Sequence, residues 1–489
     1  MDREFLRRAL LGENYFPNHR TKSRELPPFF HTRNLTPQVA SDLIAAGVPT
    51  APYKGCDYVP YTLTRFNGGP RVCGIPHPFA YCTLVQRIYD SWPRLAPSLI
   101  TSSSVITPRQ HPDGRLFIMD YGSHRAKSDR YLKRQSCASF TAHADISNFY
   151  PSLYTHAIPW AIVGIDAAKQ NTNNNLWYNA LDRDYRNCRR QETNGVSIGP
   201  GTSSIASEFI LCRIDRRREN RYNFDRFIDD YTAYTSSLSE AKAFLRDLEI
   251  ELARFNLYLN FNKSSIKALP GVELPNWIDD LRISSIVQDK SFYNIKMFIS
   301  RAITLADRHP EGSVLRYALH ALADEGFSQS NGDYVLQRVL GLAASHLHLV
   351  SCIKDLIPFG MDRRNRFKYK AELLNVLQKA ALSRRSDAMC WALHLCRESN
   401  TSINREIEND IFQTFDCLSL VMLYEVGSPY IRGRITHFVR ARLLNRAPST
   451  IQRNWMLIHY LLNAGVLTRA EVSDNTLLQM QALRVNLFN

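Results

Sequence analysis

Asp225-Arg-Phe227-Ile228-Asp229-Asp230-Tyr-Thr-Ala-Tyr234 is the stretch on which the reading of this chain turns. Phe-Ile before the acids and Tyr-Thr-Ala-Tyr after them have the aromatic and β-branched character of two short strands, which makes the stretch a hairpin with both carboxylates at its tip. A third acid stands in a similar setting in Thr141-Ala-His-Ala-Asp145-Ile-Ser-Asn-Phe-Tyr150-Pro, again at the end of a strand-like run. Carboxylates with such neighbours become partly buried, and a buried negative charge is costly unless a cation or donor compensates it. A divalent metal is the natural compensator. Hard oxygen ligands suit Mg²⁺, which binds through one or two carboxylates and completes its octahedron with water and phosphate oxygens. A second acidic pair, Asp279-Asp280 in Pro-Asn-Trp-Ile-Asp-Asp-Leu, lacks these flanks and reads as a solvated helix start.

Further motifs follow in order. Asp145-Ile-Ser-Asn-Phe-Tyr-Pro-Ser-Leu153, Asn194-Gly-Val-Ser-Ile-Gly-Pro-Gly-Thr-Ser203, Phe227-Ile-Asp-Asp230 and Leu259-Asn-Phe-Asn-Lys263 resemble the successive palm motifs of reverse transcriptases. Gly68-Gly-Pro-Arg71-Val-Cys-Gly-Ile-Pro76-His-Pro78, together with Tyr15-Phe-Pro17 and Glu25-Leu-Pro-Pro-Phe-Phe30, narrows the likeness. It is to the abortive-infection (Abi) branch of bacterial reverse transcriptases, the group containing AbiA, AbiK and a smaller prophage-encoded member. By motif the resemblance covers residues 1 to 270, and beyond that only the helical character agrees. Phe227 departs from the tyrosine that usually opens the family's third signature, which removes a hydroxyl and leaves the acids untouched.

The resemblance implies an α+β chain of reverse-transcriptase-like fingers and palm followed by an all-α, HEAT-like helical array. The expected domains are an N-terminal segment with fingers over 1–135, a palm over 136–275 and a helical domain over 276–489. Asp145, Asp229 and Asp230 become the catalytic acids. Two Mg²⁺ ions, for which Mn²⁺ can substitute, are expected on Asp145, Asp229 and the Ile146 backbone, serving in-line nucleotidyl transfer. Arg71 takes the place of the fingers residue that grips a triphosphate, a task suited to the guanidinium fork. Tyr150 takes that of an aromatic gate against the ribose 2′-hydroxyl, with core packing as the alternative. Gly199 and Pro200 lie in a glycine-rich loop where backbone must come close to a ligand, ahead of an apolar helix. Lys263 is expected at the phosphates of the incoming nucleotide, or solvated.

The implied activity is untemplated DNA synthesis from dNTPs in phage defence, primed by a protein hydroxyl so that the single-stranded product stays attached. Tyr15 is the candidate primer, in an N-terminal segment placed to fold over the palm; packing beside Phe16 and Pro17 is the other reading. A homo-oligomer, trimer or hexamer, in the bacterial cytoplasm is implied as well. Two other functions stay open, a conventional RNA-templated reverse transcriptase and a non-catalytic nucleic-acid-binding scaffold. Neither a ribonuclease H constellation nor a Val-Thr-Gly thumb signature is present.

Composition agrees with these expectations. The chain has 489 residues, 44% of them hydrophobic, enough for roughly two to four domains. A net charge of +15 favours polyanionic partners. The cationic runs Arg216-Arg217-Arg218-Glu-Asn-Arg221, Arg363-Arg364-Asn-Arg366-Phe-Lys368 and Arg432 through Arg446 read as solvated helix ends, with nucleic-acid contact as the alternative for any one of them. Arg125, Lys127, Arg130, Lys133 and Arg134, interleaved with Tyr121 and Tyr131, read either as a triphosphate or single-strand channel or as a solvated hairpin. Ten cysteines show neither Cys-x-x-Cys nor zinc-finger spacing, which predicts reduced thiols. No run approaches the roughly 20 apolar residues that span a bilayer, and the N-terminus lacks a signal-length apolar stretch. Pro270 to Pro275 reads as a boundary. Beyond it the apolar period is helical, as in Ile295, Phe298, Ile299, Ala302 and Ile303, or Leu418, Val421, Met422 and Tyr424.

Overall fold

The computed structural model describes residues 1–17, 24–47, 54–118, 124–271, 276–283, 291–310 and 312–489, without the side chains of 124–127, 276, 283, 324 and 325. Tyr121, the Arg125 and Lys127 side chains and the 272–275 part of the expected boundary therefore lie outside the described residues. The architecture is mixed α and β. A helix at Arg3–Leu11 (α1) precedes a hairpin of β1 (Tyr58–Thr64) and β2 (Pro70–Pro76), and Pro78–Leu95 (α2) follows at once. A four-stranded antiparallel sheet has the order β4-β5-β3-β6, from β3 (Phe140–Asp145), β4 (Asn223–Phe227), β5 (Asp230–Thr235) and β6 (Ser265–Ala268). Gly201–Arg216 (α3) and Leu238–Ala253 (α4) complete this half.

Local chemistry accounts for the sheet. β3 buries Ala142 and Ala144 and β5 buries Tyr231 and Ala233, so alternate residues face the core and the register is fixed. Ser237 accepts a hydrogen bond from the Glu240 amide and caps α4, which packs on β3 and β5. The sheet's hairpin and its two central strands thus bring the three acids to one end.

From Asn276 onward the described residues are helical apart from turns, short connections and two isolated bridges, Met361 with Phe367 and Phe488 with Phe30, as the period predicts, and Asp279-Asp280 falls in the helix Asn276–Ile283. Ser386–Glu398 (α5), Arg405–Phe412 (α6) and Pro429–Phe438 (α7) belong to this half. It is not a separate appendage. A single cluster of buried apolar side chains runs from Leu6 to Phe488. The free edge of β1 is closed by the start of α5, where the Thr62 amide donates to Ser386 Oγ at 3.0 Å and the Thr64 amide to Asp387 Oδ2 at 2.7 Å. The chain's end pairs with its beginning through His31 N to Leu487 O and Asn489 N to Phe29 O, both 2.9 Å.

A buried ion pair fastens the two halves. His77, between β2 and α2, places Nε2 3.2 Å from Asp474 Oδ2, and neither side chain is exposed beyond 4%. Burial works against a charged imidazole, but the Asp474 carboxylate and the Cys56 side chain outweigh it and raise His77 to about 10. Asp474 also caps the helix Asn475–Ala482. None of the ten cysteines forms a disulfide, and among the described residues no helix is long and apolar enough to cross a membrane.

Asp474→Ala is predicted to cost about 3–5 kcal/mol, the scale of leaving a buried charge unpaired, rather than the ~1 kcal/mol of a lost cap. Urea denaturation below pH 9 measures it. The wild-type stability from His77 is fully present below its unfolded pKa near 6.5 and falls away as pH rises through about 10.

Candidate active site

The site is built on a two-residue hairpin. Phe227 pairs with Asp230 across β4 and β5, leaving Ile228 and Asp229 as the tip. Ile228 sits at φ +59°, a conformation that two-residue turns of the II′ kind demand of their first central residue and usually assign to glycine. A β-branched residue there is strained by roughly 1–2 kcal/mol and persists only if its surroundings force it. The forcing element is Arg226. Its fully buried guanidinium donates from Nη1 to the Ile228 carbonyl at 2.9 Å and to Glu208 Oε1 at 2.8 Å, and from Nε to Asp215 Oδ2 at 2.8 Å. Glu208 and Asp215 lie on α3, and Tyr231 adds a hydroxyl donated to Asp215 Oδ1 at 3.0 Å. The Arg226 backbone pairs in turn with Ser103 and Val105. Burial pushes the Asp215 carboxyl up to about 6, although Arg226 pulls it down. Sequence reasoning missed this cluster. Its signal was two acids seven residues apart on an otherwise apolar helix, a spacing that puts them on one face.

The acids converge as strand pairing dictates. Asp145, the last residue of β3, stands directly opposite Asp230, the first of β5. Burial, then the neighbouring charges of Asp229 and Asp145, raise Asp230 from 3.8 to about 7, and a hydrogen bond with Asp145 acts the same way. Asp229 is raised too, by burial and then by Asp145, while Arg71 and Lys263 hold it down. Among the described residues no group of three or more His, Cys, Asp or Glu side chains is gathered as a ready metal cluster. Asp145 and Asp230 are the close pair, with Asp229 at the adjoining tip. Ile146 is buried, and the bridge it forms with Leu259 runs from the Asn260 amide to the Asp145 carbonyl and from the Ser147 amide to the Tyr258 carbonyl. The Ile146 carbonyl takes no part in those two bonds.

Lys263 is drawn to the acids, its Nζ 3.2 Å from Asp145 Oδ1, on a side chain still 62% exposed. Arg71 is exposed on β2, opposite Leu63 of β1. Arg65, at the start of the same hairpin's loop, was missed from sequence; it feels both Asp145 and Asp229, and its pKa is lowered by burial and by Arg71. The hairpin is therefore a cationic flap set over the acidic pair.

Tyr150 directs its hydroxyl toward Ser204 and Ser207 of α3 and lies close enough to Asp229 to feel its charge; burial leads the causes that raise it to about 12. Gly199 is at φ +124° and Gly201 opens α3, but the backbone approach they permit is to this chain's own N-terminal segment. A Cβ at Gly199 would stand 2.9 Å from Pro17, and one at Gly201 2.7 Å from Asn14, whose carbonyl accepts the Gly201 amide at 2.7 Å. Pro200, between them, caps α3 without a side-chain bond. The N-terminal segment thus lies on the loop expected to meet a ligand.

That placement corrects the expectation for Tyr15. It is fully buried, its ring stacked on Tyr81 at 4.1 Å and its hydroxyl donated to the Pro76 carbonyl at 2.6 Å. Burial raises its pKa well above 10. A hydroxyl so held serves the core and is not poised as a primer. Of the basic stretch ahead of β3, Arg134 is committed to buried Asp225 at 2.7 Å. Arg217, Arg218 and Arg221 pair with Glu251 and Asp247, so that run is structural.

Neither a protein-family model nor a curated protein matches the chain. Among solved structures it is similar to apo telomerase from Candida Tropicalis truncated from its C-terminal domain, at 14% identity and a TM-score of 0.30, over 48% of this chain and 55% of that one. It is also similar to apo telomerase from Candida Tropicalis, at 13% identity, TM-score 0.34, over 78% and 71% of the two chains. Telomerase from Candida albicans in complex with the TWJ fragment of telomeric RNA gives 12% identity, TM-score 0.29, over 82% and 70%. The chain thus spans about half the length of the truncated telomerase. At these scores the likenesses carry no functional weight, and the site stands on its own geometry.

Two outcomes are expected. Arg226→Met leaves Glu208 and Asp215 buried without their cation and costs about 3–5 kcal/mol in chemical denaturation, whereas adding Glu208→Gln and Asp215→Asn restores most of it. Asp230→Asn raises thermal stability above pH 7 by roughly 2 °C. That gain disappears below about pH 4, where folded and unfolded carboxyls are both protonated, because the cost of a raised carboxyl builds up as pH climbs from its unfolded value of 3.8 and is complete above its folded value of about 7.

Proposed function

We propose that the chain is a DNA polymerase of reverse-transcriptase type that makes untemplated, protein-primed DNA from dNTPs in defence against phage. The observation that carries the polymerase part is the register of β3 against β5, which sets Asp145 opposite Asp230 with Asp229 at the adjacent tip, beneath the Arg65 and Arg71 hairpin. Acids short of positive charge beside guanidinium groups suit a nucleoside triphosphate arriving with divalent metal.

Mg²⁺ fits the donor set. Asp145, Asp229 and the Ile146 carbonyl offer only hard oxygens, and Asp229 and Asp230 are raised by burial and by neighbouring carboxylates, a charge that a divalent cation would offset. When bound, Mg²⁺ lowers the pKa of an attacking hydroxyl and offsets charge on the phosphoryl oxygens. The chain's own contributions are distinct. Arg71 and Arg65 orient the triphosphate, and Lys263, 3.2 Å from Asp145 on a largely exposed side chain, is a cation able to transfer from carboxylate to phosphate. Tyr150, held by the α3 serines, fixes a ring beside Asp229 where it excludes a ribose 2′-hydroxyl. Tyr258 and Phe261, 61% and 69% exposed on the segment that bridges to Ile146, offer faces on which bases stack.

Protein priming, the absence of a template, the phage-defence role and a homo-oligomeric trimer or hexamer come from the Abi resemblance of the motifs. With Tyr15 buried, priming falls to another exposed hydroxyl.

Purified protein with Mg²⁺ and labelled dNTPs, without template or primer, is expected to give label that shifts on protease treatment in denaturing electrophoresis. Asp229→Asn should lower incorporation about a thousandfold, the scale of several kcal/mol of lost metal stabilisation, with the fold intact. Label that appears only with an RNA template and primer would make the enzyme a conventional reverse transcriptase. None under any condition would leave a binding scaffold.

A further inference from the structure

The helical half carries a groove that the catalytic reading does not use. α7 runs directly into a π-helical turn, Val439–Leu443, a widened turn that occurs frequently at functional sites. Tyr430, Arg434, Phe438 and Arg442 recur every four residues along this helix and share a face. Phe412, at the end of α6, and Phe415 stand across from them. The walls enclose an open groove of about 730 Å³, within the roughly 300–1,000 Å³ of small-molecule sites. Small residues leave it open: a Cβ added at Gly433 meets nothing within 4 Å.

The lining combines exposed aromatic faces with cations. Phe415 is 53% exposed and stacks on Phe438 at 5.0 Å, and Tyr430 is 43% exposed. The Arg434 guanidinium lies 4.4 Å over the Phe412 ring and that of Arg405 4.1 Å over Tyr430. Among the described residues, those lining the groove include no Asp or Glu, and Arg442 at its end is exposed. An apolar protein surface would cover the rings and strand the cations. Nucleobases joined by phosphates satisfy both, since every base has a π face for an aromatic ring and every phosphate an anion for a guanidinium. The chain's charge of +15 adds long-range attraction for the same ligand.

We infer that this groove binds single-stranded nucleic acid, with bases stacked on Phe415 and Tyr430 and backbone phosphates on Arg434 and Arg442. The site does not depend on catalysis at the aspartates. It gives a single strand a second hold on the molecule, away from the sheet.

The test uses the full chain, a fluorescently labelled single-stranded DNA 12-mer, and EDTA without dNTPs, so that no polymerisation enters. Gly433→Leu fills open space on a helix and Phe415→Ala removes an exposed ring, so both are expected to leave the fold intact; melting temperature checks this. Each is expected to weaken binding in fluorescence anisotropy roughly tenfold, the scale of one lost stacked base. Arg442→Gln should flatten the salt dependence of binding. An oligomer of abasic sugar-phosphate should bind wild type no better than it binds Phe415→Ala. Photocrosslinking with bromodeoxyuridine should label peptides from 412–442. Unchanged affinity in Gly433→Leu and Phe415→Ala, or crosslinks confined to 140–270, would overturn the inference. So would a change in sedimentation in place of affinity, which would mean that a second copy of the chain covers the groove.

Discussion

One buried guanidinium sets the geometry on which the catalytic reading depends. Arg226 is fully enclosed, faces two carboxylates of α3 and reaches forward to the Ile228 carbonyl at the hairpin tip. Such a cluster is a poor source of net stability, because desolvation cancels most of its attraction. Its value is directional. A guanidinium with its donors satisfied in a plane holds one backbone carbonyl in one place, and so keeps a β-branched residue in the left-handed region. That strained residue in turn fixes where Asp229 leaves the tip relative to Asp230 and, through the β3–β5 register, to Asp145.

The rest of the site is arranged around the repulsion this creates. Burial and neighbouring negative charge push Asp229 and Asp230 toward protonation, while Lys263, Arg65 and Arg71 stand near enough to respond. In contrast to the enclosed Arg226, Arg65 and Arg71 are exposed on their hairpin, and Lys263 meets only the site's own Asp145 from a side chain still largely exposed. The positions of Arg65 and Arg71 depend on the β1–β2 hairpin, whose outer edge is closed by α5 and whose exit is tied by His77 to Asp474. The helical half therefore supports the cationic flap as well as carrying its own groove.

The legible parts of this chain were those encoded within a few residues. The hairpin with Asp229 at its tip, the strand ending in Asp145, the helical period after Asn276 and the lack of disulfides could all be read from local pattern, although Asp230 proves to be the first residue of β5 and not part of the tip. What escaped was pairing at long range. Nothing near Arg226 announces Glu208 or Asp215, and the glycines at 199 and 201 show that backbone must come close to something without saying that it is Pro17 and Asn14. Tyr15 belongs to the same class: its neighbours in sequence are compatible with a mobile arm, whereas its partners Tyr81 and Pro76 make it core. The arginine runs divided in the same way, since whether a guanidinium is spent on Glu251 or left at a groove depends on which helix lies across from it.

Nucleotidyl transfer as proposed requires a divalent-cation site on Asp145, Asp229 and the Ile146 carbonyl. Electron paramagnetic resonance of Mn²⁺ added to the full chain with a dNTP tests this most directly, because the free-ion signal is lost on binding. Protein-dependent loss of that signal is expected, abolished in Asp145→Asn with the fold unchanged. A signal that stays with wild-type protein, or that is lost equally with the variant, would contradict it.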